Sequence, residues 1–314
     1  YQIYIDKDIR AQQIKEGEGL PADWKPDKAV LEAQEFYASF KSESALLLED
    51  IRVAITKLRE FIKTIDLNAT DDKGKPIYTL NTYTATIKQI RTELDKIDPS
   101  IILYGEGWSM STLVTKPTAS MATQTMASKL DGFGFFNDTI RNAIKGSVFN
   151  EKEKGYINGD LSKTATIRDA IMGKAPWSSK GASQVIYSTC HDNRTLWDEI
   201  QLSNPDDSME EQVKQYLMSA AIVYTSQGTP FIFAGEEMLR TKPNGDGTFN
   251  HNSYNAGDAV NEMKWETLND PTYQTVYNYY KGIIEFRKAH AAFRNMENAK
   301  SNYTYVEGLP NGVL

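Results

Sequence analysis

Cysteine is almost missing: Cys190 is the single one in 314 residues. An internal disulfide and a cysteine-rich zinc site are therefore both excluded. Histidine is scarce too, and His191, His251 and His290 are scattered without metal-ligand spacing. No apolar run is long enough to span a bilayer, and no secretory leader pattern opens the sequence. Lys and Arg number 35 against 42 Asp and Glu, a formal charge of −7. That balance argues against a nucleic-acid-binding surface and fits a soluble protein whose compartment stays open. There is no internal repeat and no low-complexity segment.

What is present is ordinary in bulk. The chain is 40% hydrophobic and 25% charged, and it is long enough for one large domain or two smaller ones. Its 17 Tyr, 12 Phe and 5 Trp suit a sugar-stacking site and a large core equally well.

The chain changes character near residue 85. Leu48, Ile51, Ile55, Leu58, Ile62 and Ile65 recur at alternating spacings of three and four, which predicts a heptad-like helix over 46–65, in a coiled coil or helical hairpin. "EGEGLPADWKPD", with Pro21 and Pro26 around Trp24, and "NATDDKGKPIYTLN" read as loops. From Thr86 a second helix runs through Ile87, Ile90, Leu94 and Ile97 to Asp98-Pro99.

Beyond it, strand-like and helix-like segments alternate. "IILYGEGW" has the form of a buried strand, "DGFGFFND" of a short strand followed by the helix "TIRNAIKG", and "SQVIYSTCHDN" of a strand ending in polar groups. "SMEEQVKQYLMSAAIVYTSQG" is a helix with Ser208 and Glu211 as a capping box and Gly228 as its stop. "TPFIFAGEEM" is a last strand, and "YQTVYNYYKGIIEFRKAH" an amphipathic helix. This order predicts a parallel α/β fold, with polar clusters after the strands where a (β/α) barrel carries its site.

Three such clusters stand out: "YGEGW", "STCHDNRTLWD" and "FAGEEMLR". Glycoside hydrolysis needs one acid to protonate the leaving oxygen and a second carboxylate to attack the sugar or activate water. Glu106, between Gly105 and Gly107, fits the acid, and Asp192, between His191 and Asn193, fits a clamp for vicinal hydroxyls. Taken singly, each has a plainer reading: a surface glutamate, a polar turn, a solvated helix start. Together and in order they favour the catalytic one.

The segments "LDKIDPSIILYGEGW", "DGFGFFNDTIRNAIKGSVF", "HDNRTLWDEI", "GTPFIFAGEEMLRTK" and "HNSYNAGDAVNEMKW" together resemble type I pullulanases, debranching enzymes of the α-amylase clan, from about residue 86 to the end. The resemblance implies a partial (β/α)8 TIM-type barrel, strands five to eight, over 86–300, preceded by a helical segment over 1–85. It implies the start of a β-sandwich at 301–314, truncated in this sequence. It implies hydrolysis of α-1,6-glucosidic bonds in pullulan and branched starch or glycogen fragments, with retention and without an organic cofactor. A structural calcium ion is compatible with it, but no motif points to one.

By the same resemblance Glu106 is the acid/base and Asp192 the transition-state stabiliser. His191 and Asn193 contact the sugar at the cleavage point, and Trp108 and Trp197 line the same cleft. Arg240, Asn252, Tyr254, Asn255 and Asp258 lie on a substrate-binding loop after the last strand.

One part of the pattern is missing. The family's nucleophile is an Asp in a strand-end motif of the form Gly-Phe-Arg-Phe-Asp, and the spacing puts it at about Ile77, inside "KGKPIYTLN". Asp66, Asp71 and Asp72 do not stand in such a motif. The expectation is therefore a pullulanase-like chain with little or no hydrolysis of its own. Two other readings stay open: a non-catalytic α-glucan-binding protein, and a helical interaction module that self-associates through 46–65. Residues 1–85 carry none of the family's motifs and are unassigned. A natural replacement, a fusion and an artificial join are all compatible with them.

Overall fold

The computed structural model describes residues 80–109 and 122–294, with short stretches at 15–16, 19–21, 23–28, 31–32, 72–74, 303–304 and 308–310 and the single positions 306 and 312. The heptad-like helix expected over 46–65 lies outside the described residues, as do Asp66, Asp71 and Ile77. The chain divides into two compact units, Tyr1–Leu67 and Asn68–Leu314. In the first, the Trp24 backbone N–H donates to the Pro21 carbonyl at 2.9 Å, a turn in the proline-flanked loop.

The second unit is an α/β fold on a parallel sheet. It opens with α1 (Leu80–Asp95), which begins six residues before the sequence predicts. Four short strands follow: β1 (Leu103–Gly105), β2 (Phe133–Phe136), β3 (Gln184–Ile186) and β4 (Thr229–Pro230), in the order β1-β2-β3-β4. All three pairings are parallel, with Tyr104 opposite Gly134, Phe136 opposite Val185 and Ile186 opposite Pro230. Helices α2 (Asp138–Lys145) and α3 (Thr164–Ile171) lie between β2 and β3, and α4 (Leu196–Ser203) and α5 (Met209–Thr225) between β3 and β4. The one-turn α6 (Asp258–Asn261) and the long α7 (Pro271–Ala289) come after β4.

The helices bury one continuous core. Ile140 and Ile144 of α2, Ile167 of α3, Leu196 and Ile200 of α4, Tyr216 and Ala220 of α5, and Val276 and Tyr280 of α7 pack together with Ile186 of β3. Ser208 and Glu211 form the capping box that the sequence predicts at the start of α5.

Three expectations change. The strand through "IILYGEGW" is not buried: Ile102 is 58% exposed and Tyr104 54%. Among the described residues β1 is an edge strand, paired on one side only, so its outer face meets solvent. The strands expected over 183–193 and 229–238 shrink to three and two residues, because the chain leaves the sheet soon after each to build loops. Gly228 does not stop α5, whose C-cap is Ser226 in extended geometry. Its glycine answers a close approach: with φ at +122°, a Cβ there would lie 2.7 Å from Ile186 Cγ1.

Candidate active site

The C-terminal ends of the four strands open onto one cavity of about 680 Å³. Glu106 and Trp108 reach it from the end of β1, and Asp138 and Arg141 from the start of α2. Cys190, His191, Asp192 and Asn193 reach it from the loop after β3, and His251 and Asn252 from the segment after β4. The parallel register puts these segments side by side, as in barrel enzymes, where the loops after the strands carry the chemistry.

Its wall is aromatic. Phe136 meets Tyr187 edge-on at 4.8 Å between ring centroids and Phe231 at 5.1 Å. Tyr104 lies 5.8 Å from Phe136. Each strand contributes one ring, Tyr104 from within β1 and Phe136, Tyr187 and Phe231 at or just past the ends of β2, β3 and β4, a layer packed mostly edge to face. Arg141 donates to the Tyr187 hydroxyl at 2.9 Å. Burial is the main cause that pushes this phenol's pKa up, so Tyr187 stays protonated. Phe149, 88% exposed, stands on the rim.

Glu106 is exposed to the cavity. The glycine after it is required: Gly107 has φ at +72°, and a Cβ there would lie 2.5 Å from Phe135. The Gly107 carbonyl accepts from the Gln124 N–H at 3.0 Å, and the Gln124 side chain donates to Asp138 Oδ1, also at 3.0 Å. Glu106, Trp108 and Asp138 thus stand on connected backbone.

On the opposite loop His191 Nε2 lies 3.3 Å from Asp192 Oδ1, with both side chains exposed. Asn193 takes the left-handed conformation, φ 60°, which asparagine tolerates better than most residues. Behind this loop Lys242 has no solvent exposure, and its ammonium donates to the carbonyls of His191 and, at 2.8 Å, Asn193. Burial is the main cause that lowers the Lys242 pKa to about 8. Asp198 accepts from the Thr241 hydroxyl and, at 3.0 Å, from the Lys242 backbone N–H. Burial raises the Asp198 carboxyl against those hydrogen bonds.

Of the residues expected at the site, Glu106, Trp108, His191, Asp192, Asn193 and Asn252 line this cavity. Trp197 does not. It is 5% exposed and packs edge-on against Tyr216 in the core, because a capping box between Thr195 and Asp198 starts α4 and turns its side chain inward. Arg240 is held by its own backbone neighbours: it donates to the carbonyls of Ala234 and Asn261 and lies 4.4 Å over the Phe233 ring. Tyr254, Asn255 and Asp258 are exposed after β4, Asp258 as the first residue of α6, and none of the three lines the cavity. Asp72 is exposed in a turn.

The sequence reading passed over Phe136, Asp138, Arg141, Phe149, Tyr187, Phe231 and His251, all of which line the cavity. The available signal was one aromatic near the C-terminal end of each strand. Among the described residues, no group of three or more His, Cys, Asp or Glu is placed to hold a metal ion, and no helix is long and apolar enough to cross a membrane.

No family model matches the chain. It is 31% identical over 215 residues to the pullulanase of Bacillus subtilis (strain 168), a match covering 67% of this chain and 29% of that protein. It is 30% identical over 250 residues to pullulanase A of Streptococcus pneumoniae (serotype 2), covering 67% and 20%. Among solved structures, the pullulanase of Paenibacillus barengoltzii in complex with maltohexaose and α-cyclodextrin is similar at 38% identity and a TM-score of 0.62, over 70% of this chain and 33% of that one. The pullulanase of Bacillus acidopullulyticus is similar at 36% identity and a TM-score of 0.66, over 73% and 27%. The chain thus spans about a third or less of the length of these relatives. Five ordered motifs, a parallel sheet with its polar residues at the strand ends, and agreement between sequence and structure comparisons lead to one conclusion: from about residue 86 onward, the chain belongs to the type I pullulanases of the α-amylase clan.

Proposed function

We propose that this chain carries the acid-and-stabiliser half of a pullulanase-type site and binds α-glucan there. The observation that carries the reading is convergence: Glu106 and Trp108 from one loop, and His191, Asp192 and Asn193 from another, line one cavity with an aromatic wall. The similar Paenibacillus structure holds maltohexaose and α-cyclodextrin, which supports an α-glucan, as in pullulan or in branched starch or glycogen fragments, as the ligand class here.

In the proposed chemistry Glu106 protonates the oxygen of an α-1,6 link as the bond to the sugar carbon breaks. Asp192 stabilises the positive charge that develops on that carbon and, with His191 and Asn193, holds the hydroxyls of the same sugar. Retention requires a carboxylate to attack the carbon from the opposite face and form a glycosyl ester. As this sequence stands, none of its aspartates occupies the family's nucleophile motif, so the reading includes little or no hydrolysis by this chain alone. Within it, 86–300 corresponds to barrel strands five to eight, 301–314 to the start of a β-sandwich, and 1–85 to a helical segment of separate character.

Incubation with pullulan tests the catalytic part, and affinity electrophoresis in glycogen tests the binding part. Retarded migration without reducing sugar supports the reading. Reducing sugar that is lost in Glu106→Gln contradicts the inactivity, and unretarded migration contradicts the glucan site. The absent nucleophile motif favours a second reading, a non-catalytic α-glucan-binding protein that keeps His191, Asp192 and the aromatic cleft. A mass that rises with concentration, without glucan binding, supports instead an interaction module working through 46–65.

A further inference from the structure

We infer that Lys242 is a positioning residue that holds two walls of the cavity, the 191–193 loop and the 250–252 segment, in fixed register. Its ammonium donates to the carbonyls of His191 and Asn193, the two residues that bracket Asp192. Its backbone carbonyl accepts from the Asn250 N–H at 2.7 Å, next to His251 and Asn252. Its backbone N–H is taken by Asp198, whose other oxygen binds Thr241. One residue is therefore bonded to both of these cavity-lining segments and anchored to α4 as well.

A lysine without solvent exposure is costly unless its charge is used. Here two carbonyls use it, and the Phe233 ring, 5.4 Å from Nζ, faces the same ammonium. The charged and titratable groups around it are Arg240, Cys190, Asp198 and Asp192. Both bonded carbonyls lie in a loop whose Asn193 is held in the left-handed region. Releasing them frees that turn to relax and carries His191 and Asp192 with it. The effect on ligand rests on the glucan reading above; the bracing of the loop does not.

Cys190, the chain's single cysteine, stands beside His191, with Sγ 3.9 Å from the Asp192 carbonyl. It reports the order of this loop without any ligand. In Lys242→Met, the rate of Cys190 alkylation by iodoacetamide is expected to rise about tenfold, as two charge-assisted bonds are lost, and retardation in glycogen to fall by a similar factor. Loss of the cation alone acts the other way, since it raises the thiol pKa and slows alkylation. Unchanged alkylation in a variant that melts cooperatively overturns the inference. Faster alkylation in a protein whose wild type ignores glycogen upholds the bracing and overturns the glucan reading instead. If Lys242→Met does not fold, Lys242→Gln, which is one atom shorter and uncharged and so cannot bridge both carbonyls, is measured in the same way, and a rate equal to wild type overturns the inference.

Discussion

The Tyr280 hydroxyl of α7 donates a 3.0 Å hydrogen bond to the carboxyl of Glu236, just beyond β4 and 44 residues earlier in the chain. Ser188 donates to the same oxygen, and the Phe233 N–H to the other. Glu236 is 4% exposed, and burial, only partly offset by these bonds, raises its pKa from 4.5 to about 7. The folded protein therefore holds this proton over a pH range in which the unfolded chain has released it.

Stability is expected to fall as pH rises from about 4.5 to 7, and this component to level off above that. Over the window it amounts to about 3 kcal/mol. Urea midpoints at pH 5, 6, 7 and 8 read the slope, and in Glu236→Gln this component should disappear.

Arg287 of α7 is buried and donates to the carbonyls of Tyr224, Ser226 and Gly228, each at 2.8 Å. These carbonyls close the end of α5 and lead into β4. Arg287→Met strands all three and is expected to cost about 3 kcal/mol in denaturant unfolding.

Gly155 sits where a Cβ would lie 2.4 Å from the Ile144 carbonyl and the Lys145 nitrogen. Its φ is −107°, so the constraint is space rather than conformation. Gly155→Ala must displace the end of α2 and is expected to destabilise by at least about 2 kcal/mol, read as a lower melting temperature.

How much of this was legible in the sequence follows from what each feature depends on. The start of α5 was, because Ser208 and Glu211 satisfy each other locally. That Glu106, His191 and Asp192 line one cavity was, because strand ends in a parallel fold converge. Trp197 was misplaced because helix phase decides which way it points, and the Thr195–Asp198 capping box sets that phase. The Lys242 brace was not legible: its partners lie 51 and 49 residues away and are backbone carbonyls, which no side-chain pattern records. Among the described residues β1 stands at the edge of the sheet, and that place depends on pairing rather than on composition.

His191 and Asp192 stand 3.3 Å apart, and in the proposed function they give a donor and an acceptor to neighbouring sugar hydroxyls. His191→Ala or Asp192→Asn is expected to weaken glycogen binding roughly tenfold, the loss of about one charge-assisted hydrogen bond. Trp197→Phe, a core change, should leave binding unaltered while lowering stability. Affinity electrophoresis across a glycogen series separates the two effects.

The most direct test of the account is the paired measurement on the unmodified chain: retardation in glycogen, and reducing sugar released from pullulan. The expected result is retardation that weakens roughly tenfold in Asp192→Asn, with no reducing sugar above the no-protein control. Unretarded migration, or reducing sugar that vanishes in Glu106→Gln, would contradict it.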